Sequence, residues 1–211
     1  LEIWLTIVTS VGIIAMLAPG LAVYSDFVNV PEDASVVEVV GQQWSWSFRF
    51  PGDDNQLGKS AIENISIDNP FGVDPLDPTG QDDVLVVGNR LVLPVDKPVK
   101  ILMRSKDVLH NFYVPQFRVK MDMVPGTVSY IWLTPTVIGE YEILCAEFCG
   151  VGHFNMRGYV DVMEQKNFDN WLLEKPTYAA SMLKNSSEKL SVLAQSGQEV
   201  AQTSGCFGCH N

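Results

Sequence analysis

The sequence predicts a mainly β fold, a sandwich or barrel, placed behind an N-terminal membrane-spanning helix and ahead of a helical C-terminal extension. Three features predict it. The run from Ile3 to Ser25 is apolar and carries no charge; short runs rich in Val, Ile, Trp, Phe and Tyr alternate with Pro, Gly, Asn and Asp clusters; and helical spacing sets in from Asn167. At 211 residues the chain can bury one full core with a small appendage.

Residues 1–25 form the first element. At about 1.5 Å per helical residue the run is long enough to cross a ~30 Å hydrocarbon core. A buried core helix and an uncleaved signal peptide compete with that reading. A signal peptide begins with basic residues and ends at small ones, whereas this run begins Leu1-Glu2 and ends Tyr24-Ser25-Asp26-Phe27. Pro19-Gly20 near its end predict a kink or loosened last turns.

Strands are predicted at 36–40, 44–50, 84–87, 91–94, 99–103, 128–134, 139–145 and 158–163, and regular punctuation between them points to a sandwich or barrel over 26–165. The stretch 51–83, rich in Gly, Asp, Asn and Pro, reads as a long surface excursion. Phe168, Trp171 and Leu172 share a helical face before Pro176, opening a helical connector over 166–189. It contains the polar run Lys184-Asn185-Ser186-Ser187, and a last amphipathic stretch, 190–202, leads to Cys206.

The net charge is −11, and residues 26–100 hold 13 acidic against 5 basic side chains. Such a surface repels nucleic acid and speeds encounter with a basic partner, although from charge alone ordinary solubility is the favoured account. All four cysteines lie in two tight pairs, each with a histidine close behind, which is not the pattern of a disulfide-stapled secreted fold.

Cys145-Ala-Glu-Phe-Cys149-Gly-Val-Gly-His153-Phe-Asn-Met156 gathers two thiolates, an imidazole and a thioether in one loop. Soft sulfur with imidazole suits copper or zinc, and a thioether beside them is typical of electron-transfer copper. One cysteine suffices for a mononuclear site, and a second allows two sulfurs to bridge two coppers, spreading one unpaired electron and keeping the reorganisation energy low. Each copper then needs an imidazole, and the only other histidine upstream is His110, just after the strand predicted at 99–103. A Cys145–Cys149 disulfide, a structural zinc site and unrelated residues remain the competing readings. A disulfide leaves His153 and Met156 unexplained, and closed zinc ligation has no use for Met156.

The Cys145 to Met156 string, with Asp107-Val-Leu-His110-Asn-Phe and Met121-Asp-Met-Val-Pro-Gly upstream and Gly41-Gln-Gln-Trp44-Ser-Trp46-Ser-Phe before them, resembles cytochrome c oxidase subunit II, the CuA subunit of haem-copper oxidases, over residues 1–163. The resemblance implies a cupredoxin-like Greek-key sandwich behind a transmembrane anchor in the bacterial inner (cytoplasmic) membrane, the copper domain facing the periplasm. Cys145 and Cys149 would bridge the coppers, His110 and His153 would be terminal ligands, and Met156 and the Glu147 carbonyl axial ones. The Glu147 carboxylate would bind magnesium at the contact with subunit I. Trp44 matches the family's tryptophan between a docked cytochrome c and copper, a core aromatic being the other reading. Glu2 matches a glutamate at the mouth of a proton path into subunit I, although Trp4 sits one position early.

Two departures from the family stand out. It has two transmembrane helices, of which this chain offers the second. At the other end, Cys206-Phe-Gly-Cys209-His210 is a c-type haem attachment motif, with two thioether positions and an axial histidine, so residues 190–211 read as the truncated start of a cytochrome c domain. The implied function is to take electrons from cytochrome c, here through a fused haem c, and pass them to haem in subunit I, where oxygen is reduced to water. Its partners would be subunit I and the other oxidase subunits, a cytochrome c or another respiratory complex as donor, and membrane lipid, with no nucleic acid. A CuA-bearing subunit of a nitric oxide reductase and a membrane-anchored copper-delivery protein are the alternatives.

Overall fold

The computed structural model of the chain describes residues 1–203, which form two compact units. The first comprises Leu1–Phe48 with Gly88–Phe168. It opens with helix α1 (Glu2–Val28), which runs through Pro19 and carries no buried residue. At a mean hydropathy of 2.0 it is long and apolar enough to cross a membrane. A core helix of that composition would be buried, so the exposure of Ile3, Leu5, Ile13 and Leu17 suits a lipid surrounding.

Strands β1 (Ser35–Gln42), β2 (Ser45–Phe50), β4 (Arg90–Pro94), β5 (Val99–Ser105), β6 (His110–Val114), β7 (Val119–Met123), β8 (Ser129–Leu133), β9 (Gly139–Cys145) and β10 (Arg157–Met163) follow. Strand β3 (Val84–Val87) lies in the second unit. Of the first unit's strands, β2-β1-β5-β8 are neighbours in one sheet and β4-β10-β9-β6-β7 in the other. The β1–β5 and β4–β10 pairs are parallel, a cross-connected arrangement that no hairpin reading supplies. Alternation sets the core: Val99, Ile101 and Met103 of β5 and Gly158, Val160 and Val162 of β10 face inward. Fully buried Trp46, Phe48, Leu91, Leu93 and Phe112 join them, each worth about 1.5–3 kcal/mol of transfer free energy.

Strands β6 and β7 were not among those predicted. His110-Asn111 begin β6 with polar residues, and β7 alternates Val, Lys, Met, Asp and Met along the edge of its sheet, where charged side chains reach solvent.

The second unit comprises Arg49–Val87 and the chain from Asp169 onward. Here the stretch read as a surface excursion is built around a buried ion pair. The Arg49 guanidinium donates to Asp83 (Nε to Oδ2, 2.9 Å), to the Gly58 carbonyl (2.6 Å) and to Ser60 Oγ (2.7 Å), while the Gly58 N–H also reaches Asp83 (3.0 Å). Gly58 must be glycine, since a Cβ there would stand 2.2 Å from Gly80 Cα. The helical end closes on the same segment. Tyr178, 2 % exposed, donates its N–H to the Asp83 carbonyl at 2.6 Å, its hydroxyl accepts from Asn69 at 3.3 Å, and the Trp171 ring packs edge-on against Phe50.

Helices α2 (Gln165–Leu173) and α3 (Tyr178–Thr203) form the C-terminal part. Where the sequence reading places a polar connector, α3 is continuous across Lys184–Ser187. Ser186 sits in it by donating its hydroxyl to the Met182 carbonyl at 2.8 Å, the back-bond that lets serine occupy a helix interior.

Candidate metal centre

Three neighbouring strands of one sheet bring the ligand candidates to one edge. Strand β6 pairs with β9 so that Phe112 faces Cys145, and β10 pairs with β9 so that Arg157 faces Leu144. His110, two residues before Phe112 and on the same face, is thereby a diagonal neighbour of Cys145. Met156 falls opposite Cys145, whose N–H donates to the Met156 carbonyl at 3.2 Å. The loop from Cys145 then turns back through Cys149 and a 3-10 turn, His153–Asn155.

The two sulfurs stand 3.7 Å apart, and each has its own imidazole. His110 Nδ1 is 3.8 Å from Cys145 Sγ, and His153 Nδ1 is 3.5 Å from Cys149 Sγ. Each also has a third donor beside it. The Glu147 carbonyl lies 3.2 Å from Cys145 Sγ, and Met156 Sδ lies 3.8 Å from Cys149 Sγ. His110, Cys145 and Cys149 are buried, with ligand atoms within 4.8 Å of one another. A disulfide needs sulfurs at about 2.05 Å, and both thiols are free. A single tetrahedral zinc would use the imidazoles and sulfurs and leave the thioether and carbonyl idle. Two matched sets of nitrogen, sulfur and a weak third donor, sharing a sulfur pair, fit two soft metal ions.

Electrostatics set the two thiols apart. Burial works to raise the Cys145 thiol, but hydrogen bonding, led by the His110 ring, outweighs it and brings Cys145 down to about 6. Burial together with the neighbouring Cys145 thiolate pushes Cys149 up to about 12. The metal-free pair therefore holds one proton at neutral pH. Burial would lower His110, yet its contacts with Cys145 and Asp107 raise it above its ordinary value.

Asp107 is the main addition that sequence reasoning missed. His110 Nε2 donates to Asp107 Oδ1 at 2.8 Å, which turns Nδ1 toward the sulfurs. Asp107 accepts in addition from the Gln43 N–H (2.7 Å) and the Val108 N–H (2.7 Å). Burial opposes its charge, but these donors and the His110 ring hold its carboxyl below the usual range. An aspartate three residues before a candidate ligand was the available signal.

The other sequence-predicted residues lie as follows. Trp44, 36 % exposed, covers the ligand loop so closely that a Cβ on Gly152 would stand 2.3 Å from the indole. It is therefore not a core aromatic, whereas Trp46 is, packed edge-on to Phe112. Glu147 is half-buried, and Glu2 is exposed in the first turn of α1. Cys206, Cys209 and His210 lie outside the described residues.

Fold and site together define a mostly β, cupredoxin-like domain with a cysteine–histidine cluster able to hold metal, carried behind a transmembrane-capable helix. Residues 35–163 match the family described as cytochrome c oxidase subunit II, periplasmic domain, and the chain belongs to that family. It is 54% identical over 179 residues to the alternative cytochrome c oxidase subunit 2 of Bradyrhizobium diazoefficiens, covering 85% of this chain and 65% of that protein. It is 32% identical over 185 residues to the probable cytochrome c oxidase subunit 2 of Rickettsia bellii, covering 86% and 64%. The chain thus spans a little under two thirds of the length of these relatives. The crystal structure of the periplasmic domain of subunit II of cytochrome oxidase from Bradyrhizobium japonicum is similar, with a TM-score of 0.50 and 28% identity, over 68% of this chain and 94% of that one. Family membership implies a CuA copper centre, and the donor set described above fits it.

Proposed function

We propose that this chain is the subunit through which electrons enter a respiratory cytochrome c oxidase. The reading is carried by one observation: a sulfur pair 3.7 Å apart in which each sulfur has its own imidazole, at 3.8 and 3.5 Å. Cys145, Cys149, His110 and His153 would hold a copper pair, with Met156 and the Glu147 carbonyl as weaker donors beside the two sulfurs. When bound, such a pair supplies one-electron transfer from cytochrome c toward haem in subunit I, where oxygen is reduced to water, with little change in any metal–ligand bond.

The chain's own residues do the rest. Asp107 orients His110 through its Nε2, the cupredoxin-like frame holds the four close donors before metal arrives, and burial of Cys145, Cys149, Met156 and His110 keeps water from the sulfurs. Trp44, lying over the ligand loop with one face to solvent, is the contact for the donor's electron. Helix α1 anchors the domain in the bacterial inner membrane with the copper side in the periplasm, and Glu2 lies by the mouth of a proton path in subunit I. The Glu147 carboxylate binds magnesium at the subunit I contact. Cys206, Cys209 and His210 would attach a haem c, which would supply electrons as a tethered donor.

The test is EPR with metal analysis of the assembled complex. Wild-type protein gives the seven-line mixed-valence pattern, and Cys149→Ser destroys it, because one bridging sulfur cannot hold two equivalent coppers. Glu147→Gln keeps the pattern and lowers magnesium content, since an amide is a poorer ligand for a hard cation. A seven-line pattern retained in Cys149→Ser would overturn the bridging assignment.

A further inference from the structure

The residue just before Trp44 reaches both sides of the metal centre. The Gln43 backbone N–H donates to Asp107 Oδ2 at 2.7 Å, and Asp107 uses its other oxygen on His110 Nε2 at 2.8 Å. The Gln43 side-chain amide donates to the Cys149 carbonyl at 2.8 Å. One residue is thereby joined to an imidazole through a carboxylate and to the backbone of a thiol-bearing residue directly.

The surrounding backbone leaves just enough room for this. A Cβ on Gly150 would stand 2.9 Å from Gln43 Nε2 and 3.4 Å from Trp44 Cζ2, and one on Gly152 would stand inside the Trp44 ring's contact distance. On the other side of Gln43, a Cβ on Gly41 would stand 3.2 Å from His110 Cδ2, and the Lys106 N–H holds the Gly41 carbonyl at 3.0 Å. Glycines thus let the Gln43–Trp44 segment lie flat between the two ligand-bearing segments.

We propose that Gln43 is a positioning residue of this centre, its side-chain amide holding the Cys149 backbone and the Trp44 ring in register with each other. Any residue but proline at 43 keeps the backbone N–H, so the Asp107 link does not depend on the side chain. Only a side chain with a donor at the reach of glutamine meets the Cys149 carbonyl. Methionine has that reach without a donor, and asparagine has the donor one methylene short. The part of the proposal that concerns metal rests on the copper reading given above, whereas the part that concerns Trp44 does not.

The test uses the full chain in detergent, as wild type, Gln43→Met and Gln43→Asn, each also with Trp44→Phe so that Trp44 emission is obtained by difference. In metal-free protein both Gln43 variants should raise acrylamide quenching of Trp44 above wild type. After copper loading, both should keep their copper, show an altered hyperfine pattern and bind the metal about tenfold more weakly in competition with a chelator, within the range typical of lost outer-shell contacts. Gln43→Lys, which keeps a donor of sufficient reach, should move both readouts back toward wild type. Wild-type quenching of Trp44 in both Gln43 variants overturns the proposal whatever the copper does. A wild-type chain that takes up no copper pair refutes the copper reading instead, and the quenching result still decides the role of Gln43.

Discussion

Replacing Gly152 with alanine adds one methyl group beneath the Trp44 ring. Built on the backbone, that Cβ stands 2.3 Å from Trp44 Cδ2, 2.6 Å from Cε3 and 2.7 Å from Cε2. Carbon atoms rest at about 3.5–4.0 Å, so the ring must withdraw by about 1.2 Å or more. Gly152 has φ −93° and ψ 10°, a conformation outside the left-handed region and open to alanine in turns, so the effect is chiefly steric. Overpacking of this kind costs about 1–3 kcal/mol, and Trp44, 36 % exposed, can give way outward, which places the cost near 1 kcal/mol. The melting temperature should therefore fall by roughly 2–4 °C, with unchanged copper content. Trp44 quenching should rise, and copper reduction by the donor, followed by flash photolysis, should slow because the ring no longer lies on the ligand loop. Placing Gly152→Ala in a Trp44→Ala background removes the clash, so there the glycine substitution should cost neither stability nor rate. Equal losses in both backgrounds would refute the contact as their cause.

Two further outcomes follow from the same structure. Copper loading of metal-free protein at pH 8 should release about one proton from the thiol pair, because Cys145 is already a thiolate and Cys149 is not. At lower pH, where Cys145 and the His110 ring, itself raised above its ordinary value, also take up protons, more must leave and apparent copper affinity should fall; calorimetry in buffers of different ionisation enthalpy measures both. Asp83→Ala strands the buried Arg49 guanidinium and should cost about 3–5 kcal/mol in the second unit, read by hydrogen exchange at Gly58 and Tyr178, while the copper EPR signal of the first unit stays as in wild type.

What the sequence determined by itself is local. The donors of the loop Cys145–Met156 are legible because twelve residues of chain confine them to one neighbourhood whatever the rest does, and the soft character of sulfur and imidazole belongs to the residues themselves. Helix α1 is equally legible, since an uncharged apolar run of that length matches the thickness of a hydrocarbon core. Most strands announced themselves by β-branched and aromatic residues, and β7 did not because an edge strand must carry charges that make it look like loop.

Only the tertiary structure decided the pairing of distant segments. That His110 belongs with Cys145 and His153 with Cys149 depends on the β6–β9 register and the course of the loop, neither of which is written in spacing. The same holds for Asp107 and Gln43, ordinary polar residues whose roles arise from what folds against them. The clearest case is the stretch 51–83, whose turn-rich composition reads as a surface loop. Arg49 and Asp83, far apart in sequence, form a buried pair whose desolvation is offset only when Gly58 and Ser60 complete its hydrogen bonds, and the Asp83 backbone then receives Tyr178. Long-range electrostatics and packing, not local propensity, make that segment part of a second unit.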